Sequence, residues 1–406
     1  MKDNFGLSIL NLTIEDTMKI YERDVLQKQL KQLYDYNIYA TPSTYIPHIK
    51  HYIMNKADLK PIAFYLPQYY PTAINNQNWG KGFTEWTNVA RAVPQYLGHY
   101  QPHIPESLGY YDLRNEEIME EQCRMAMNYG IYGFCFYYYY FSGKTQLELP
   151  LINFATNSKI QFPFCLCWAN ENWTRKWDGR QQDILLKQTY DSKYMKDFIA
   201  KVAKYFLNDN YIKINNRPVL IIYNAKAIEN LEYCLEYWKN YCRQNGFGEV
   251  FLICAKTFGL NDPYVISMFD ACVEFPPHDI HTKLKIDYSK LTNPDYFGSI
   301  YHIMDYINNI PEDVPYRIFR CAFPSWDNTA RVGRKSKIFS DASPDTFEIW
   351  LQKIINDTIK NHSPEARFFF INAWNEWGEG AHLEPDRKYG YAYLECLRKC
   401  IERGLS

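Results

Sequence analysis

From residue 60 onward, short apolar runs alternate with stretches whose apolar positions return every three or four residues. Runs of four to seven residues rich in β-branched and aromatic side chains read as strands buried on both faces, and the longer three-to-four period reads as amphipathic helix. The runs predict strands at Ile62–Leu66, Tyr132–Tyr138, Phe164–Trp168, Val219–Tyr223, Val250–Cys254, Ala271–Glu274, Arg317–Ala322 and Arg367–Ala373. Helical patterns fall at Glu116–Tyr129, Lys193–Leu207, Ile228–Asn245, Tyr296–Ile307, Pro344–Lys360 and Tyr391–Glu402. Eight such alternations predict an α/β chain folded as a (β/α)8 TIM barrel rather than an open sheet.

Two stretches depart from this rhythm. In residues 1–58, Thr13 can cap a helix with Ile14, Met18, Tyr21, Val25, Leu30 and Leu33 on one face. This predicts a helical N-terminal extension ahead of a barrel domain at 59–406, its apolar face covered by the barrel, by a second copy or by a partner protein. The stretch Pro67–Asn115, between the first two strands, is too long for an ordinary βα loop and is dense in Trp, Tyr, His and Gly. A long inserted loop at that position folds over the C-terminal face, where such barrels place their chemistry.

Composition narrows the function. Hydrophobic residues make 47% and charged residues 22% of the 406, a core-forming balance that excludes a disordered chain. Basic and acidic side chains number 45 and 46, so no net field gathers nucleic acid or an anionic membrane surface. Aromatic residues reach 17%, with 36 Tyr and 10 Trp; an apolar face with a polar handle suits sugar rings, though a Tyr-rich core accounts for the count equally well. The 11 cysteines form no even ladder and several sit in apolar runs, which predicts reduced thiols and a cytoplasmic location. Neither a secretory leader nor a membrane span is expected, since no run of about 18 apolar residues occurs.

In a barrel, residues just beyond the strand ends line the working face. These are Tyr65 and Gln68, then Tyr138 in the Tyr137–Tyr140 run, then Trp168, Asn170, Glu171 and Trp173. Later come Glu274 and His278, Trp326 and Asp327, and finally Asn375, Glu376, Trp377 and Glu379, while the inserted loop adds Trp86 and His103. Planar polar groups and Trp faces in one cleft fit an oligo- or polysaccharide. Glu376 and Glu379, three apart in a Gly-containing turn, have the spacing of two carboxyls that divide acid and base work in a glycosidase. The alternative is that they cap the last helix or pair with Arg387. For Glu171 a capping turn, for Glu274 a salt bridge across the barrel mouth, and for His99 and His103 an ordinary surface position stand beside the binding role. Asp-x-Asp, G-x-G-x-x-G, a Walker loop and H-E-x-x-H are all absent, so neither metal nor cofactor is expected.

The run AFYLPQYYPTAINNQNWGKGFTEWTNVARA from Ala63 to Ala92, then GHYQPHIPESLGYYDLR, YGIYGFCFYYYYF, FPFCLCWANENWTRKWDG, VEFPPH, PSWDNTAR and FINAWNEWGEGAHLEPD, resembles WbsX-type, glycoside hydrolase family 99-like proteins. The resemblance runs from Lys60 to about Arg398. It implies a barrel related to that of endo-α-mannosidases and action on mannose-containing or related glycans such as bacterial surface polysaccharide. It further implies a retaining mechanism through the N-E-x-x-E pattern. Glu376 would deprotonate the sugar 2-hydroxyl, which closes a 1,2-anhydro sugar, and Glu379 would protonate the leaving oxygen. A glycosyltransferase of surface-polysaccharide biosynthesis and a catalytically silent glycan-binding protein are the alternatives.

Overall fold

The computed structural model describes residues 45–50, 55, 57–175, 180–278, 280 and 291–404, together with 19, 23–28, 30 and 31. All eight predicted strands form: β1 Lys60–Tyr65, β2 Gly133–Phe141, β3 Phe164–Trp168, β4 Arg217–Ile222, β5 Phe251–Lys256, β6 Ala271–Glu274, β7 in two segments Ile318–Phe319 and Cys321–Ala322, and β8 Phe368–Ile371. Each pairs in parallel with the next from β1 to β6, and β8 returns to β1 with Lys60 opposite Phe368. Closure runs through β7, whose first segment pairs with β6 and whose second pairs with β8. The result is the (β/α)8 TIM barrel, a parallel sheet curled until its edges meet.

Both faces of the strands are buried because one fills the barrel and the other packs on helices. Inside, Phe64 stacks on Tyr137 at 5.7 Å and meets Phe275 at 4.8 Å and Phe370 at 5.5 Å. Outside, Tyr65 meets Phe136 at 4.4 Å, and Trp168 stacks on Phe198 at 4.2 Å. Each large side chain buried in this way stabilises the fold by about 1.5–3 kcal/mol. The helices carry the expected end signals: Asn115 caps Glu116–Asn128 and accepts from Glu117 N, while Ser343 and Thr346 form a capping box on Pro344–Asn361.

Some elements differ from expectation. Lys193–Leu207 divides into an α-helix, Ser192–Val202, and a tighter turn, Ala203–Leu207. The pattern at Tyr296–Ile307 begins as a strand, Ser299–Tyr301, because that segment pairs with Lys337–Phe339; only Ile303–Asn308 is helical. The inserted loop contains two helices, Ala73–Trp79 and Glu85–Ala90. In the N-terminal stretch, residues 23–28 are helical with Val25 buried and Leu26 and Leu30 exposed, whereas Thr13, Ile14, Met18, Tyr21 and Leu33 lie outside the described residues. Residues 45–50 join the barrel: Ile46 N donates to Tyr389 O at 3.1 Å, and Tyr391 N donates to Ile46 O at 2.7 Å. Among the described residues no helix is long and apolar enough to cross a membrane. All eleven cysteines are buried and unpaired.

Candidate active site

Beyond β8 the chain makes the turn that carries the two glutamates. Asn375–Glu376 pairs antiparallel with Ala381–His382, and Trp377–Glu379 closes as one 3-10 turn. Gly380 ends that turn at φ +60°, a conformation open to glycine at little cost. The turn also hangs on β1, because the Asn375 amide accepts from Leu66 N at 2.7 Å and donates to Leu66 O at 3.0 Å. Beneath it, the Glu384 carboxylate accepts from the indoles of Trp377 at 2.6 Å and Trp374 at 3.0 Å, from Tyr111 OH at 2.8 Å and from the Gln122 amide at 2.7 Å. Burial nevertheless pushes the Glu384 carboxyl up to about 7.

Arg331 comes from the short helix Thr329–Val332 that follows β7. Its Nη1 lies 2.6 Å from Glu379 Oε1, its Nη2 2.7 Å from Glu376 Oε2 and its Nε 2.8 Å from Glu85 Oε1. One guanidinium thus holds three carboxyls. Burial, with Glu379 and Glu85 adding repulsion, outweighs Arg331 and pushes the Glu376 carboxyl up to about 8. The three carboxylates hold Arg331 well above its ordinary range, even though burial alone would lower it. A methyl group on Gly378 would meet Glu85 Oε1 at 1.9 Å and Arg331 Nε at 2.9 Å, so only glycine lets the turn pass over this ion pair.

The glutamates open into a cleft of about 460 Å³ at the C-terminal mouth of the barrel. Gln68, Asn75 and Trp79 line it from the inserted loop, Tyr137 and Tyr139 from β2, and Glu171 and Trp173 from the loop after β3. Tyr223, His278, Trp326 and Arg331 complete the wall. Two buried donors there, Trp326 Nε1 and Asn75 Nδ2, have no hydrogen-bond partner among the described residues.

Of the residues singled out from the sequence, the structure brings Gln68, Glu171, Trp173, His278, Trp326, Glu376 and Glu379 together in this cleft. The others sit behind it. Tyr65, Tyr138 and Trp168 point to the helix layer, where Tyr65 OH donates to Gln122 at 2.6 Å and Tyr138 OH donates to Glu148 at 3.4 Å. Trp86 donates its indole N–H to Tyr111 O at 2.7 Å, and Trp377 is turned down onto Glu384. Asn170 ties to the backbone at Asn224 with contacts of 2.8 Å, and Asn375 is engaged by β1. Glu274 does not face the cleft; it pairs with Arg320 at 2.7 Å and accepts from Cys321 N. Burial raises the Glu274 carboxyl against that partner. Asp327 accepts from His99 Nε2 at 2.5 Å, Gln101 Nε2 at 2.6 Å and Thr329 N at 2.9 Å. Arg387, the expected alternative partner of the two glutamates, instead lies 3.2 Å from Glu106.

His103 Nδ1 faces His382 Nε2 at 2.8 Å, with Asp386 completing a group whose ligand-type atoms lie within 4.8 Å of one another. His382 Nδ1–H donates to Glu384 O at 2.8 Å, which leaves its Nε2 as acceptor for His103. Burial pushes His103 down to about 4 and holds His382 well below the usual imidazole range, so both rings are neutral members of a hydrogen-bonded chain. Lys388, lowered by its own burial, provides positive charge beside Asp386. The geometry is that of a strut between the inserted loop and the glutamate turn.

A family model described as glycosyltransferase WbsX matches residues 61–397. Two proteins of Xanthomonas campestris pv. campestris, both called uncharacterized protein WxcX, are 42% identical over 345 residues, which is 84% of this chain and 49% of theirs. The chain therefore spans about half the length of these curated relatives. A solved glycoside hydrolase-like protein superposes with a TM-score of 0.53 at 15% identity, over 88% of this chain and 98% of its own, a likeness of fold. The GH99 endo-α-mannosidase from Bacteroides thetaiotaomicron gives a TM-score of 0.49 at 14% identity, over 84% of this chain and 96% of its own.

Proposed function

The chain belongs to the glycosyltransferase WbsX family, and on that premise we propose that its cleft makes or breaks glycosidic bonds with Glu376 as base and Glu379 as acid. The observation that carries this reading is the pair of glutamates on one guanidinium at the mouth of the barrel, inside an aromatic-walled cleft. Sugar rings stack on Trp173 and Trp326, and the planar polar groups of Gln68 and Glu171 bond sugar hydroxyls. Glu376 in its ionised form, whose population grows as pH approaches its value of about 8, accepts the proton of the sugar 2-hydroxyl as that oxygen attacks the anomeric carbon. Glu379, the more exposed of the two at 20% against 6%, gives its proton to the departing oxygen. Water opens the resulting 1,2-anhydro sugar in hydrolysis, and a sugar hydroxyl opens it in transfer, with net retention in either case. Of the two cations among the described residues that line the cleft, Arg331 is engaged by three carboxyls and only Lys337 is left to meet a phosphate, so a neutral glycan, such as bacterial surface polysaccharide, fits better than a nucleoside diphosphate donor. Eleven unpaired cysteines support a reducing, cytoplasmic setting.

Surface polysaccharides screened with anomeric product analysis by NMR are the test. On a substrate so found, Glu379→Gln loses about 10²–10⁴-fold in rate but recovers much of it on an aryl glycoside, whose acidic leaving group needs no protonation. Glu376→Gln is poor on both. Wild-type rates in both mutants, or rescue of Glu376→Gln alone by the aryl group, would overturn the assignment.

A further inference from the structure

Glu85 sits at the start of the helix Glu85–Ala90 in the inserted loop, with no solvent exposure, and it meets Arg331 from 246 positions away in the chain. Its Oε1 is bonded to Arg331 Nε, while its Oε2 has no hydrogen-bond partner among the described residues. A carboxylate buried in this way against a cation that two other carboxylates share is costly unless its charge has a use. The remaining titratable groups that sense the cluster are Tyr69 from the loop after β1, Tyr137 and Tyr139 from β2, and Tyr223 beyond β4, which also faces Glu171. Burial pushes all four phenols upward, so they stay neutral, and Arg331 is the cation in contact with the acids.

We propose that Glu85 is a positioning residue of this site: it holds Arg331 in the three-way clamp and limits how much of that single positive charge reaches Glu376 and Glu379. The proposal rests on the reading that those two glutamates do the acid and base work. Glu85 keeps the base from ionising too readily, and so keeps it strong enough to draw a proton from a hydroxyl group.

E85Q separates this role from a merely structural one, because the amide oxygen still accepts from Arg331 Nε while the charge is gone. The expected result is a shift of the rising limb of the kcat/KM pH profile to lower pH by about one unit, since a like charge has left and Arg331 is freed toward Glu376. E85D, whose carboxylate retreats by one methylene, shifts the limb the same way by less and decides the question if E85Q does not fold. Melting temperature against pH, which needs no substrate, is the second readout. It falls from about pH 7 to about pH 9 in the wild type, above the range in which the buried His103 and His382 act in the opposite sense, and falls less steeply in E85Q. This readout stands even if the catalytic reading fails. A limb unmoved in the variants that fold, or a melting-temperature slope equal to that of the wild type, overturns the proposal.

Discussion

Around the glutamate turn, burial decides which carboxyls keep a proton. Glu376 is pushed up to about 8, Glu384 to about 7 and Asp386 to about 6, each chiefly by loss of water. Their unfolded values are about 4.3 for Glu and about 3.9 for Asp, so the folded protein holds protons that the unfolded chain releases. Their contribution to stability is complete below those unfolded values and is lost as pH rises through 6, 7 and 8. Asp327 behaves oppositely. Burial would raise it, but His99 and the hydrogen bonds around it bring it down to about 2, so its contribution is present above about 3.9 and lost as acid approaches 2. His103, lowered to about 4, and His382, lowered well below the usual imidazole range, also support the fold above about 6.5 and lose that support as acid protonates them. The expected melting-temperature profile is therefore a dome with its maximum a little on the acid side of neutrality, measurable by differential scanning fluorimetry. A steady rise from about pH 5 to about pH 9 would contradict it. At this scale the chain was half legible. The Glu376 and Glu379 spacing stood out, but four consecutive tyrosines hid the phase of β2, so Tyr138 was expected in the cleft where Tyr137 and Tyr139 stand. Arg331 and Glu85 lie in segments whose spacing relative to the turn carries no local signal, because their meeting depends on loop packing.

The eight strands were readable because a strand buried on both faces must be an apolar run, and no other local need produces that run so regularly. Loops obey no such periodicity, and the inserted loop Pro67–Asn115 is held by side chains whose partners are remote. Asp327 is one such anchor, since it binds His99 and Gln101 of that loop and Thr329 of its own. Asp327→Asn presents an amide N–H₂ to donors that require an acceptor. The expected loss is about 2–3 kcal/mol, read from urea unfolding. Because Gln68, Asn75 and Trp79 line the cleft from the same loop, the mutant should raise KM more than it lowers kcat. An unchanged urea midpoint would show that the loop is held without this anchor. Trp326, beside Asp327, ties the same anchor to the aromatic wall of the cleft.

At the scale of the whole molecule, residues 45–50, ahead of the boundary expected at residue 58, lie against the barrel. Tyr45 OH donates to Glu106 at 3.1 Å, Ile46 bridges Tyr389 and Tyr391, and Ile49 N donates to Tyr129 OH at 3.1 Å. His48 packs edge-on against Tyr391 at 5.1 Å, and Asn128 Nδ2 donates to Ile49 O at 2.8 Å. These contacts cover the face of Tyr129 and Tyr391, which stack on each other at 5.5 Å beside the loop that leads from the glutamate turn to the last helix, Ala392–Arg403. The residues immediately before β1 add more: Asn55 closes a turn on Leu59, and Arg367 Nη1 donates to Ala57 O at 2.8 Å. A chain that begins at residue 45 keeps all of this, whereas one that begins at residue 59 loses several hydrogen bonds and uncovers two rings. Each hydrogen bond is worth about 0.5–1.5 kcal/mol net, so the shorter chain is expected to be less stable by about 2–4 kcal/mol. Calorimetry of the two chains tests this: the second should melt a few degrees below the first. Equal melting temperatures for the two would mean that residues 45–58 lie on the barrel without supporting it.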